Sequence, residues 1–193
     1  GGTWMAASRG GAVATVLNRP GSLGPAPGLR SRGELPLLAL AAGSAAAGAA
    51  AIAGLPAAEW RPFNMVLADA AGAWFLRGTG QGRPAALPLG PGVHMVTAHD
   101  PNDLASPRTA RHLPRFRAAA EPRPEQEDWQ GWEALLADSG FDTGAAEALR
   151  VPPTNGFGTV SSSLLAIGRD GQVIWRFATG PAGEAPFLPV AMP

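Results

Sequence analysis

Three arginines are the residues of this sequence best spaced to bind an anionic group. Arg108, Arg111 and Arg115 stand at positions i, i+3 and i+7, so a helix through this segment would bring the first two onto one face. A guanidinium fork matches carboxylate or phosphate oxygens better than a point-charge ammonium does. The alternative is a solvated helix face on which these arginines pair with nearby acids. The acids closest in sequence are Asp100, Asp103 and Glu121.

The histidines do not form a recognisable metal-binding pattern. His94, His99 and His112 are separated by 5 and 13 residues, and no standard zinc motif has these spacings. We therefore expect no metal site, and we interpret His99 and His112 as scattered surface or core residues. His94 remains a candidate for contact with a bound ligand.

Composition excludes several kinds of chemistry. The 15 basic and 15 acidic residues cancel, so no net charge attracts nucleic acid or an acidic membrane surface. Every basic residue is an arginine, and cysteine, lysine and tyrosine are absent. The residues present therefore offer no thiolate nucleophile, Schiff-base lysine or tyrosine acid. The excess of Ala, Gly, Pro and Arg indicates a GC-rich bacterial genome.

One uncharged stretch, residues 35–58, is long enough to cross a membrane by length alone. It consists mostly of alanine and is interrupted by glycine and proline, so its transfer into lipid is unfavourable compared with a Leu- or Ile-rich span. We expect two short packed helices here and no membrane span. No secretory signal opens the sequence, so we expect a cytoplasmic protein.

Turn residues between apolar runs predict three β-hairpins. Their strands are expected at residues 3–8 and 12–18, 63–69 and 73–77, and 158–167 and 172–178, with a further strand at 93–98. Helices are expected from residue 35, over 44–54, from 107 and over 127–137. Separate hairpins with helices between them predict an α+β fold with antiparallel sheets.

Local signals also predict how two of these helices begin and end. Ser31 and Glu34 have the spacing of a capping box, in which the serine accepts from the third backbone N–H and the glutamate reaches back. Ser106 and Pro107 match an N-cap and a first-turn proline. Pro114 is expected to end or kink the second of these helices after about two turns.

The order of motifs resembles the NRDE family, the homologues of transport and Golgi organisation protein 2. The resemblance rests on Gly-Gly-Thr-Trp at residues 1–4, a hairpin ending at Asn18-Arg19, and Ser-Arg-Gly-Glu-Leu at residues 31–35. Weaker similarity covers residues 92–99 and 158–163. It implies an αββα four-layer sandwich of the N-terminal-nucleophile-hydrolase type. It also implies one NRDE-like domain over residues 1–193 that lacks its N-terminal strands, with the family's nucleophilic cysteine upstream.

The resemblance further implies roles for individual residues. Asn18 would donate its amide to an oxyanion, although a turn asparagine capping its own backbone is the alternative. Arg19 and His94, together with the three arginines at 108, 111 and 115, would contact a ligand. Two positions where relatives carry polar residues are Ala98 and Val160 here, which weakens hydrolysis and favours binding.

We therefore expect a carrier of an amphipathic anionic ligand, haem or an acyl-coenzyme A, acting in intracellular trafficking or metabolism. Haem would enter as a ligand, and no other cofactor, nucleic acid or membrane span is implied. The alternative is an N-terminal-nucleophile hydrolase that cleaves amide or thioester bonds with the upstream cysteine.

Overall fold

Two antiparallel sheets and four α-helices make up residues 2–192, the part of the chain that the computed structural model describes. The first sheet has the strand order β1-β2-β3-β4-β5, and the second has the order β6-β7-β8. The strands are β1 Met5–Ala7, β2 Val13–Asn18, β3 Phe63–Asp69, β4 Gly72–Gly78, β5 Ala85–Leu89, β6 Ser162–Ile167, β7 Val173–Ala178 and β8 Leu188–Pro189. The helices are α1 Leu35–Leu40, α2 Ala45–Ala53, α3 Pro107–Ala118 and α4 Gln130–Leu136. The α+β class is thereby confirmed.

The chain divides into two compact units. The first runs to Pro101 and also includes Ile167–Gln172, and the second comprises Asn102–Ala166 and the residues from Val173 onward. Each has its own cluster of buried apolar side chains.

The first sheet is an antiparallel meander built from the two hairpins that the sequence predicts. Met5 pairs with Thr15 in the first hairpin, and Asp69 pairs with Gly72 in the second. The Asp69 carboxylate accepts hydrogen bonds from the backbone N–H groups of Ala71 and Gly72, which fixes this tight turn. Strand β5 was not expected, because its Pro88 reads as a strand breaker, yet a proline is tolerated at the sheet edge that β5 forms.

Helices α1 and α2 cover one face of this sheet. Strand alternation places Ala14, Val16, Met65 and Leu67 on that face, and all are buried with Ile52 of α2. The two helices approach closely because Gly48 has no side chain: a Cβ there would lie 2.7 Å from the Ala39 carbonyl oxygen. The alanine-rich stretch is thus a packed helix pair, as predicted.

A backbone-to-backbone contact joins two of the motifs that carry the family resemblance. The N–H of Thr3 donates to the carbonyl of Gly33 at 2.9 Å. A Cβ on Gly33 would lie 2.9 Å from the Thr3 nitrogen, and one on Gly2 would lie 2.8 Å from the Gly33 carbonyl carbon. Glycine at both positions therefore allows the N-terminal segment to lie directly against the turn before α1.

In the second unit, α4 packs on the three-stranded sheet. Trp132 and Leu136 of α4 contact a buried cluster that includes Leu164 of β6 and Ala178 of β7. Trp132 also meets Phe116 of α3 edge-on, with ring centroids 5.3 Å apart. Trp132 and Leu136 therefore pack into the core of this unit, and the helix is shorter than the predicted range of 127–137.

Three local expectations differ from the structure in whole or in part. Residues 93–98 form no strand, because the carbonyls of Thr97 and His99 accept from the buried Asn64 side chain instead of from a neighbouring strand. Pro114 does not end α3, since the carbonyl that it deprives of a partner belongs to the solvent-exposed Ala110.

The capping box is the third. Ser31 accepts from the N–H of Gly33, and Glu34 binds Arg30, because a 3₁₀ turn over Arg32–Glu34 precedes α1.

None of the helices within residues 2–192 has both the length and the apolar character needed to span a membrane.

Replacing Gly33 by alanine is expected to destabilise the protein by about 1–3 kcal/mol, because its Cβ would press on the backbone of Gly2 and Thr3. Gly72→Ala is the matched control, since a Cβ there meets no atom within 4 Å. Urea denaturation of both variants measures the effect. Equal midpoints for Gly33→Ala and Gly72→Ala would contradict the close packing described here.

Candidate functional site

A cavity of about 420 Å³ lies in the first unit. The N-terminal segment, the end of β2, the loop that follows it and the turn before α1 form its wall. The residues lining it are Gly2, Thr3, Trp4, Asn18, Gly24, Pro25, Ala26, Leu29, Arg30, Ser31, Arg32, Gly33 and Arg61. This set contains three arginines and no acidic residue, so the cavity carries positive charge.

Arg32 is the most deeply placed of these arginines. Its side chain is buried, and its Nη1 donates to the Ser22 carbonyl at 2.7 Å, the Ser22 hydroxyl at 3.0 Å and the Pro62 carbonyl at 3.1 Å. Burial and the neighbouring charge of Arg61 both lower the pKa of Arg32. An arginine stays protonated even so, because its ordinary pKa lies far above neutral. A buried positive charge thus lies at the cavity wall.

Arg61 supplies a second positive charge and holds the loop after β2. Its Nη1 donates to the carbonyl of Leu23 at 2.7 Å, and its Nη2 donates to the carbonyl of Gly21 at 3.0 Å. Across residues 2–192, neither Arg61 nor Arg32 forms an ion pair with a carboxylate. Their hydrogen bonds go to neutral oxygens, the backbone carbonyls and, for Arg32, also the Ser22 hydroxyl.

Arg30 differs because its charge is neutralised within the fold. Its guanidinium binds Glu34 at 2.7 Å and Glu59 at 3.0 Å, and it stacks over the Trp60 ring with 4.6 Å to the centroid. The hydrogen bonds that Arg30 donates to Glu34 and then to Glu59 raise the pKa of Arg30. The net positive charge of the cavity therefore comes from the other two arginines.

Asn18 and two apolar side chains complete the wall. Asn18 ends β2 opposite Phe63, and its Oδ1 is buried without a hydrogen-bond partner among residues 2–192. A half-turn of the amide would present its N–H₂ group at that position instead. Trp4 is 58% exposed and Leu29 is 39% exposed. The cavity thus combines cationic donors, an amide and exposed apolar surface.

Arg19 points to the other face of the same sheet and takes part in a separate polar network. Its Nη1 donates to Asn64 Oδ1 at 2.5 Å and to Asp100 Oδ1 at 2.7 Å. Arg77 binds the second oxygen of Asp100 at 2.5 Å, and the buried Asn64 amide donates to the carbonyls of Thr97 and His99. The predicted ligand residue Arg19 is therefore engaged in holding residues 97–100 on the sheet.

Asp100 is the charge centre of that network. Partial burial raises the pKa of this carboxyl, but the hydrogen bond and charge of Arg19, followed by those of Arg77, outweigh burial and lower the pKa overall. The Asp100 carboxyl therefore stays ionised at pH values below those at which an aspartate usually becomes protonated.

The three arginines singled out from helical spacing lie on α3 in the second unit and have partners there. Arg108 donates to the Ala148 carbonyl at 2.7 Å, Arg111 binds Asp142 at 2.6 Å, and Arg115 forms an ion pair with Asp138. Ion pairing on a solvated face was the open alternative, although the partners are not the acids closest in sequence. Their role toward a ligand stays a prediction.

The histidines have ordinary environments. His94 is exposed, with Nε2 2.8 Å from the Gly90 carbonyl. His112 is buried between the Glu147 carbonyl and Arg115, and burial is the main reason that its pKa is lowered. Among the described residues, no group of three or more His, Cys, Asp or Glu side chains could hold a metal ion.

Sequence reasoning missed Arg32 and Arg61 as the cationic residues of the cavity. Arg32 lies within a family motif, which was the one available signal. Arg61 follows a buried tryptophan and precedes a proline, a context typical of a connection between elements. Because both arginines bind backbone carbonyls, no pattern of acidic partners could have identified them.

A protein-family model matches most of the chain. The model described as Transport and Golgi organisation 2 matches residues 1–176 of the chain. No curated protein matches the chain significantly. The match includes the segments that form the cavity and the network around Asp100.

Asp100→Asn is expected to lower stability at pH 7 by about 1 kcal/mol, because Arg19 and Arg77 would lose their shared counter-charge while part of the site stays exposed to water. The folded state lowers the pKa of Asp100, so this stabilisation is complete above the unfolded pKa of about 4. It is lost as the pH falls through the lower folded-state pKa.

Denaturation of wild type, Asp100→Asn and the exposed-acid control Glu125→Gln between pH 2 and 7 tests this. The difference in free energy of unfolding between wild type and Asp100→Asn should become smaller as the pH falls. The Glu125→Gln control should have the stability of wild type throughout. A gap independent of pH would assign the loss to packing.

Proposed function

The chain belongs to the Transport and Golgi organisation 2 family, and from that membership we propose that it binds an amphipathic anionic ligand of the haem or acyl-coenzyme A type. The proposed setting is intracellular trafficking or metabolism, in the cytoplasm. The ligand's anionic group would enter the cavity described above, and its apolar part would lie across the exposed side chains at the rim.

The observation that carries this proposal is the charge of the cavity wall. Arg32 and Arg61 have carbonyl partners and form no ion pair with a described residue, so a ligand carboxylate or phosphate would meet positive charge that no carboxylate in residues 2–192 neutralises. A charge-assisted hydrogen bond contributes about 1.5–3 kcal/mol. Two such contacts could hold a small anionic group even in competition with water.

The exposed apolar side chains at the rim of the cavity would contact the apolar part of the ligand. Trp4 offers a wide face and Leu29 an aliphatic surface, and both are exposed at the cavity. A planar macrocycle or an acyl chain could cover them and bury apolar area, at about 25 cal/mol per Å². An ion without an apolar part would gain none of this energy. An amphipathic anion therefore fits the wall better than a purely polar one.

The arginines of α3 are the alternative binding site for the anionic group. Arg111 and Arg115 would first have to leave Asp142 and Asp138, which costs part of the energy that a ligand supplies. Arg108 has no carboxylate partner among the described residues, but its Nε donates to the Ala148 carbonyl. We therefore place the anion at Arg32 and Arg61 in the first unit.

We also propose the finer fold that the family resemblance implies, a single NRDE-like domain with an αββα sandwich of the N-terminal-nucleophile-hydrolase type. What supports it is that each unit supplies a sheet with helices on a face, α1 and α2 on the first and α4 on the second. A crystal structure tests this: the two sheets should stack face to face between helical layers.

The binding proposal predicts that Arg61→Gln lowers the affinity for haemin or palmitoyl-coenzyme A by about 10- to 100-fold, because one charge-assisted contact is lost. Isothermal titration calorimetry at low salt measures this, and added salt should weaken wild-type binding. Arg83→Gln is the matched control, since it removes an exposed arginine of the same unit that does not line the cavity.

A third variant, Arg111→Gln, distinguishes the two possible binding sites. Binding that survives Arg111→Gln but not Arg61→Gln supports the cavity, and the reverse result would assign the anion to α3. If both variants bind as wild type does, neither site holds the anion.

Hydrolysis is the second candidate, favoured by the position of Asn18 at the cavity wall, where its amide oxygen has no donor within the described part of the chain and a half-turn would present the N–H₂ group instead. A carrier should return palmitoyl-coenzyme A intact after hours of incubation. A hydrolase should release coenzyme A, and Asn18→Ala should then slow turnover about 100-fold or more, as loss of an oxyanion donor does. Release of coenzyme A that is indifferent to Asn18→Ala would contradict the oxyanion role.

A further inference from the structure

We propose that residues 20–29 are a strap that Arg61 holds closed over the cavity, and that an oxyanion opens it by taking the Arg61 guanidinium. This inference rests on the proposed function, since the anion that opens the strap is the head group of the ligand. It adds a mechanism of access, which the binding proposal alone does not contain.

The first support is the pattern of hydrogen bonds along the strap. Arg61 donates to the carbonyls of Gly21, Leu23 and Pro25, which are alternate residues. Arg32 donates to the carbonyls of the two residues between them, Ser22 at 2.7 Å and Gly24 at 3.4 Å. Five consecutive carbonyls are therefore held by two cationic side chains.

The second support is the scarcity of other anchors. The strap contains three glycines at positive φ, so no regular helix or strand can form there: Gly21, Gly24 and Gly28. Most of its residues are exposed, and Leu23 is 63% exposed. Ser22 is the one buried residue among residues 20–29, and its hydroxyl lies within hydrogen-bond distance of the Arg19 and Pro62 carbonyls. Ser22 would act as the fixed end of the strap.

The two arginines differ in a way that makes Arg61 the latch. Arg32 is buried and also binds the Ser22 hydroxyl and the Pro62 carbonyl, so it keeps partners outside the movable carbonyls. Arg61 is only half-buried, and within residues 2–192 the hydrogen bonds of its guanidinium all end on the strap. Exchange of its partners therefore leaves the strap from residue 23 onward with one long contact to an arginine, the 3.4 Å hydrogen bond from Arg32 to the Gly24 carbonyl.

An anion can make that exchange because it is the stronger acceptor. A carboxylate or phosphate adds the attraction of a full opposite charge to the hydrogen bonds of a guanidinium, and its two oxygens can accept from the guanidinium fork together. The carbonyls of Gly21, Leu23 and Pro25 belong to exposed residues, so water can replace the guanidinium once it leaves. Because Gly24, Pro25, Ala26 and Leu29 line the cavity, movement of the strap would widen its mouth.

The absence of cysteine from the sequence allows a direct test with the full chain. A spin label on Leu23→Cys reports strap mobility, and one on Leu87→Cys, an exposed position of β5 in the same unit, is the control site. The probe is inorganic phosphate at constant ionic strength, with chloride as the reference anion. Electron paramagnetic resonance gives the ratio of mobile to immobile label.

We expect phosphate to raise that ratio at position 23 in a saturable way. If phosphate binds the open form alone, the ratio rises about 10-fold at a concentration about ten times its Kd for that form. Arg61→Gln should make the label mobile without phosphate and remove the response. Arg83→Gln should respond as wild type does, and the label at position 87 should not change.

Calorimetry on the same samples separates failure of the strap from failure of the binding proposal. Phosphate that binds in an Arg61-dependent manner while the label at position 23 stays immobile overturns the strap and leaves the proposed function standing. No binding of phosphate, haemin or palmitoyl-coenzyme A overturns both. An equal response at positions 23 and 87 also overturns the strap, since it would report general loosening of the unit.

Discussion

The buried guanidinium of Arg32 is the constraint on which the cavity depends. A positive charge removed from water must be compensated, and here carbonyls of the loop after β2 and of Pro62, together with the Ser22 hydroxyl, supply the acceptors. The loop is therefore drawn toward the turn before α1, and the space between them becomes the cavity. Since the acceptors are neutral, the charge that organises the fold is also available to attract an anion.

The two residues at the end of β2 contribute to different features on the two faces of one sheet. Consecutive residues of a strand point in opposite directions, so Asn18 lies at the cavity while Arg19 reaches Asn64 and Asp100 on the other side. The network around Asp100 holds residues 97–100 without a strand. A single register, Asn18 opposite Phe63, sets both arrangements.

The motifs of the family resemblance have a physical explanation in this fold. Gly2 and Gly33 allow two backbones to touch, which joins the N-terminal motif to the turn before α1. Arg32, between Ser31 and Gly33, is then directed into the wall of the cavity. The same short segments that identify the family thus build the charged site, and this links family membership to the binding proposal.

The sequence by itself determined the elements whose causes are local. The Asp69–Gly72 turn, the alanine-rich helix pair and the α+β class follow from turn chemistry and from periodicity over a few residues. Tertiary structure alone decided which arginines keep their charge available. Arg111 and Arg115 find carboxylates 31 and 23 residues away, whereas Arg61 finds backbone carbonyls 36 to 40 residues away. Helical spacing describes one face of one helix, but neutralisation depends on what the rest of the chain brings against that face.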